Sequence, residues 1–167
     1  LEPVPSWPAN PYSHTNGFFT DMARTVIVGE AGDEAKKLVQ TTRDSLYAGI
    51  KAARPGNTLN DIGRAVQGKA EAEGFSVVRE LVGHGVGHMM HEDPQVPNFD
   101  ISDKSLRDYT LKPGMVIAIE PMVNAGGWRV ETAEDGFTIV TADGSLSAHF
   151  EHTVAITEDG PLILTAE

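Results

Sequence analysis

The segment Gly83-His84-Gly85-Val86-Gly87-His88-Met89-Met90-His91-Glu92-Asp93-Pro94 constrains this chain more than any other. Its glycines argue against an ordinary helix, because each carries backbone freedom that a helix must remove. Glycine is placed where a backbone turns tightly or passes close to another group. Histidine is the usual neutral-pH metal ligand and proton carrier. A loop combining the two is suited to presenting nitrogen atoms, and the rest of the chain must supply what they face.

Around that loop the pattern is α+β. Pro3, Pro5, Pro8 and Pro11 exclude the first residues from a central strand or a helix interior. Residues 1–16 therefore read as an irregular lead-in, and 17–167 as one domain. Met22 to Val28 is β-rich and predicts a strand ending before Gly29. Ala35, Leu38, Val39, Leu46 and Ile50 fall mainly on one stripe, which predicts a helix over 33–53 stopped by Arg54-Pro55-Gly56. A second helix starts at Thr58, where Thr58-Leu59-Asn60-Asp61 resembles a capping box with aspartate in place of glutamate. Ile62, Val66 and Ala70 line its inner face and Gly74 ends it. Short strands follow over 76–79, 115–120, 128–131, 138–141 and 149–156, separated by turn signals such as Lys112-Pro113-Gly114. Helices followed by an antiparallel set predict an α+β fold with the helices on one sheet face.

Composition narrows the function. A net charge of −11 argues against sequence-independent binding to nucleic acid or to an anionic membrane, which needs clustered Lys and Arg. No apolar run is long enough to span a bilayer. With 0 cysteines there are no disulfides or thiolate metal ligands, which fits a reducing compartment. Leu1-Glu2-Pro3-Val4-Pro5 lacks the basic and apolar regions of a secretory signal, so a cytoplasmic location is expected.

Several acidic residues stand in unusual surroundings. Asp21 directly precedes a strand, where it reads as a functional carboxylate or as a cap or turn residue. Glu120 ends the apolar run Met115-Val116-Ile117-Ala118-Ile119, where burial is costly without a cation or hydrogen-bond partners; a structural ion pair is the other reading. Alternation places Glu151 with His149 and Thr153 on one face of its strand, and Phe150 with His152 on the other. Two inward carboxylates beside His84 are tolerable together only around a cation. A zinc triad of His84, His88 and His91 competes with this arrangement, but that spacing suits a helix that Gly85 and Gly87 oppose. His88 reads as solvent-exposed, His152 as a supporting strand residue, and His14 has no assignment.

In order along the chain, these residues resemble the type I methionine aminopeptidases of the metal-dependent pita-bread peptidase family. The similar blocks are Gly83-His84-Gly85-Val86-Gly87 with His91-Glu92-Asp93-Pro94-Gln95-Val96-Pro97-Asn98, then Lys112-Pro113-Gly114-Met115 leading to Ile119-Glu120-Pro121-Met122-Val123-Asn124. Asp135-Gly136-Phe137-Thr138 and Ser147-Ala148-His149-Phe150-Glu151-His152-Thr153 complete the set. The resemblance implies a pita-bread fold and a partial metallopeptidase-like catalytic domain over 17–167. It implies that Asp21 and Glu151 bridge two metal ions and that His84 and Glu120 complete the coordination of one. His91 would contact the substrate amide, Glu120 would relay protons, and Met90 and Phe137 would wall the pocket for a methionine side chain. The implied cofactor is Co, Mn, Fe or Zn, and the implied reaction removes the N-terminal methionine of nascent polypeptides with a metal-bound water.

Two departures qualify the resemblance. The family carries a further metal-binding aspartate whose place falls on Asn10, and a neutral amide is a poor substitute. One well-held ion is therefore expected, with the second site weak or absent. Most of the family's first half also has no counterpart here. An exposed sheet edge is expected to follow, covered by dimerisation or by a partner chain. The competing functions are a peptidase-like binding module with weakened catalysis, and a relative cleaving before proline.

Overall fold

Both helices form where apolar periodicity places them, in a computed structural model that describes residues 13–102 and 106–166. Helix α1 spans Asp33–Ala52 and buries Leu38, Leu46 and Ile50 along one stripe. Asp33 and Glu34 in its first turn and Lys51 in its last complement the helix dipole. Helix α2 spans Leu59–Ala72, and its capping box forms with aspartate in the glutamate position. The Asp61 amide donates to Thr58 Oγ1 at 3.4 Å, and the Thr58 amide donates to Asp61 Oδ2 at 2.8 Å.

The strands are β1 (Ser13–Thr15), β2 (Phe18–Thr20), β3 (Met22–Arg24), β4 (Ser76–Val77), β5 (Gly83–Gly85) and β6 (Glu92–Val96), then β7 (Val116–Ile119), β8 (Met122–Asn124), β9 (Val130–Thr132), β10 (Ile139–Thr141), β11 (Ser147–Thr157) and β12 (Gly160–Ile163). The main antiparallel sheet runs β4-β8-β11-β7-β5-β6, with β3 and β12 also paired to β11. At 11 residues β11 is the spine, placing Glu151 opposite Ala23 of β3, His152 opposite Ile119 of β7 and His149 opposite Met122 of β8. The helices cover one face of this sheet. Leu38, Leu46, Ile62 and Val66 pack there against Ile117, Ile119, Val154 and Ile156. This is the α+β arrangement the sequence predicts.

The structure corrects several boundaries. Met22–Val28 was expected to be one strand, but β3 ends at Arg24. There the Thr25 hydroxyl takes over the ladder, donating to the His149 carbonyl and accepting from the His149 amide, each at 2.9 Å. Val26 and Val28 beyond it are exposed. Ser13–Thr15 pairs with β2, so the irregular lead-in expected over 1–16 does not reach residue 16; its first twelve residues, Asn10 included, lie outside the described residues. The Gly83–Pro94 segment, expected to be a loop, contains β5 and β6 joined by a short connection.

The glycines in β5 serve close approach rather than turning. A Cβ on Gly83 would strike the carbonyl oxygen of Ala118 in β7, and one on Gly85 would strike that of Asp93 in β6. His84 is thus held between two neighbouring strands that leave its flanks no room for side chains. Replacing Gly83 with alanine should lower the unfolding free energy by about 1–3 kcal/mol. Urea denaturation checks this as a lower midpoint at unchanged slope, and an unchanged midpoint would show that β5 and β7 are not packed this closely.

Candidate metal centre

Two groups of acidic and imidazole side chains from separate chain segments meet at His84. Asp21, 2% exposed, lies just ahead of β3. Thr153 fixes its backbone, because Thr153 Oγ1 accepts the Asp21 amide at 2.8 Å and donates to the Asp21 carbonyl at 2.7 Å. Glu151, also 2% exposed, projects from the middle of β11. His84 projects from β5, and Glu120 follows the last residue of β7. One ligand atom from each of His84, Glu120 and Glu151 lies within 4.8 Å of the others, and the same holds for Asp21, His84 and His91.

The hydrogen-bonding capacity of these atoms is what makes the cluster informative. His84 Nδ1 lies 2.9 Å from the Gly85 carbonyl oxygen, which assigns the ring proton to Nδ1 and leaves the Nε2 lone pair facing the cluster. That Nε2 is 3.5 Å from Glu120 Oε1, a pairing that either a proton on Nε2 or a shared cation reconciles. Glu151 Oε1 is buried with no hydrogen-bond partner. Burial first, then the charges of Glu120 and Asp21, push the Glu151 carboxyl up to about 9 from its usual 4.5. Burial is also the main cause that raises Asp21, assisted by Glu120 and opposed by His84 and His91. Oxygen and imidazole donors without thiolate fit a divalent Mn, Fe, Co or Zn ion, and the orphaned Glu151 oxygen fits a ligand atom awaiting one.

The remaining residues divide clearly. His91 is exposed at the mouth, its ring centroid 4.1 Å from that of His84. Met90 is half-buried, and Phe137 is 89% exposed on the connection between β9 and β10. His88 is exposed, as expected, and belongs to neither ligand group: its Nδ1 lies 2.9 Å from the Gly17 carbonyl and its ring stacks on Phe18. A triad of His84, His88 and His91 does not form. His152 faces the other side of β11, with Nδ1 2.9 Å from Thr165 Oγ1.

Sequence reasoning did not single out His149 or Asn98. His149 Nε2 lies 3.5 Å from Glu120 Oε2, on the oxygen that His84 does not face. Buried Asn98 donates Nδ2–H to the Glu120 carbonyl at 3.2 Å. Alternation with Glu151 was the available signal for His149; nothing in the sequence signalled Asn98.

Known proteins share this fold. The chain is similar to a methionine aminopeptidase from Clostridium perfringens, 55% identical over 150 residues that cover 90% of this chain and 59% of that relative. Among solved structures it resembles the methionine aminopeptidase of Thermotoga maritima, with TM-score 0.85, 49% identity, and 91% of this chain and 60% of that one covered. The prolidase of Pyrococcus furiosus is more distant, with TM-score 0.71 and 25% identity, covering 93% of this chain and 40% of that one. The chain thus spans about 60% of the length of its methionine aminopeptidase relatives. The fold is the pita-bread α+β fold of these peptidases. Residues 12–158, which carry every side chain of the cluster, match the metallopeptidase family M24, and the chain belongs to that family.

Proposed function

We propose that the chain forms the metal-binding part of a methionyl aminopeptidase, a metal-dependent hydrolase that removes the N-terminal methionine of nascent polypeptides. The observation that carries this reading is the convergence of His84, Glu120 and Glu151, with Asp21 and His91 grouped on the same His84, beside a buried Glu151 oxygen that has no hydrogen-bond partner. The methionine-specific branch is preferred over the proline-specific one because identity is 49% to the former's structure against 25% to the latter's. Nascent polypeptides as substrate place the work in the cytoplasm. Among the described residues, no helix is long and apolar enough to cross a membrane.

Asp21, His84, Glu120 and Glu151 would hold one ion. The bound ion supplies Lewis acidity and an acidified water at neutral pH. Glu120, beside both imidazoles, carries a proton from attacking water to leaving amine. His91, at the open side of His84, contacts the scissile amide. Half-buried Met90 and exposed Phe137 flank the substrate's thioether side chain, a soft group suited to such a lining. Asp21 and Glu151 would also hold a second ion, but the sequence has Asn10, a neutral amide, at the place of the family's further aspartate. A binding module with weakened catalysis is the second reading, favoured by the neutral Asn10 at the place of a family aspartate. The exposed Val26, Ile27 and Val28 beside β3 would be covered by a second copy or a partner chain.

Metal-loaded protein should release methionine from a Met-Ala peptide, with Glu151→Ala abolishing the metal-dependent part; chromatographic assay of free methionine checks this, and equal turnover by both proteins would reject the enzyme reading. Wild type should bind about one cobalt ion by titration calorimetry, while Asn10→Asp should add a second, weaker binding step. A second tight site in the wild type would remove any role for Asn10.

The raised Glu151 carboxyl sets the pH dependence. Folded, metal-free protein keeps a proton that the unfolded chain releases at its usual 4.5, so stability is full below that pH. It then falls as pH rises toward about 9. Scanning calorimetry in chelator should show that decline, whereas Glu151→Gln or added Mn²⁺ should flatten it. A decline of the same size in Glu151→Gln would assign it to other groups.

A further inference from the structure

His149 occupies a position that the metal-centre reading leaves unused. Its Nε2 atom is closed off from solvent and makes no hydrogen bond, and Glu120 Oε2 stands 3.5 Å away. The other Glu120 oxygen is 3.5 Å from His84 Nε2. The Glu120 carboxylate therefore spans two imidazoles, one oxygen to each. His149 belongs to neither group of converging ligand atoms, so its ring is not placed to share their ion. Its influence on the site runs through Glu120.

We propose that His149 is a positioning residue whose Nε2–H closes the 3.5 Å gap to Glu120 Oε2 when an ion takes up Oε1, and so keeps Oε1 aimed toward His84 and Glu151. The proposal rests on the metal-centre reading above. The terminal torsion of a glutamate is soft, and a carboxylate with one oxygen unheld swings about it. An Nε2–H donor on the far oxygen removes that freedom while leaving the near oxygen free as a ligand. The donor must itself be fixed, and it is. The His149 amide and carbonyl are both bonded to Thr25 Oγ1 at 2.9 Å, and the residue pairs with Met122 of β8. Residue 149 also shares a strand face with Glu151, so one rigid strand sets both the ligand and the group that orients its neighbour. A histidine that only filled space would be replaceable by another ring, whereas an orienting donor would not.

The test uses the full chain with His149→Gln, which retains an N–H donor, and His149→Phe, which retains ring volume without one. Cobalt binding is measured by calorimetry, with the visible spectrum of bound Co²⁺ as a second readout. His149→Phe should weaken binding by about 10- to 100-fold and change the ligand-field bands, and His149→Gln should recover most of both. Equal, wild-type-like binding and spectra in both variants would overturn the proposal while leaving the metal centre standing. Equal losses in both, with far-UV circular dichroism unchanged, would also overturn it, since the donor would then not matter. Should His149→Phe lose its native circular dichroism, His149→Gln decides alone: near-wild-type affinity and spectrum support the donor role, and a loss of 10-fold or more overturns it. Failure of the wild type to bind Co²⁺ would sink the metal-centre reading and this proposal together.

Discussion

Three carboxylates, Asp21, Glu120 and Glu151, share a small and mostly dry volume with His84, and this crowding is the constraint on which the rest of the structure turns. Two unit charges 4 Å apart repel by about 4 kcal/mol at an effective dielectric of 20. Several such pairs in one cluster would consume a large part of a domain's net stability. Protonation relieves part of this, as the upward displacement of Glu151 shows. A divalent cation relieves it more completely, because it attracts every carboxylate at once and satisfies the oxygen that protein atoms leave unpartnered. A fold that assembles this cluster in its interior is organised around positive charge.

The sheet makes the assembly possible. β11 carries Glu151 and Thr153 on the same face, and Thr153 grips the backbone of Asp21 through two hydrogen bonds. Pairing with β3 and β7 then fixes where Asp21 and Glu120 emerge, and β7 in turn receives β5 with His84. The helices contribute none of the four candidate ligands. Their role is to bury the opposite face through Leu38, Leu46, Ile62 and Val66, so that the strands bearing the site cannot shift in register without exposing core.

Legibility in the sequence followed the range of the interactions. The capping box of α2 was readable because Thr58 and Asp61 are three residues apart and bond each other. The face of Glu151 followed from strand alternation alone. β5 and β6 were not readable: Gly83, Gly85 and Pro94 are poor strand formers, and pairing with β7 supplies what their propensity lacks. The end of β3 was missed for a related reason, since Val26 and Val28 have strand propensity but Thr25 closes the ladder with its side chain. The candidate ligands Asp21, His84, Glu120 and Glu151 came from resemblance combined with the cost of buried charge. His149 escaped because its significance depends on where β7 ends, which no local pattern records.

The residues proposed to hold the metal and those proposed to meet the substrate sit in different settings. His84 and Glu151 are buried on strands paired on both sides, and buried Asp21 is tied to β11 through Thr153. His91 and Phe137 stand exposed, and Met90 half-buried, on connections between strands. A cage must hold its ligands within tenths of an ångström, which argues for strands and close-approach glycines such as Gly83. A surface that meets varied polypeptide ends needs only shape and apolar character, which loops can supply. Ion affinity should therefore depend on the strand residues and their supports, and peptide preference on the loops, so that changes in one leave the other largely intact.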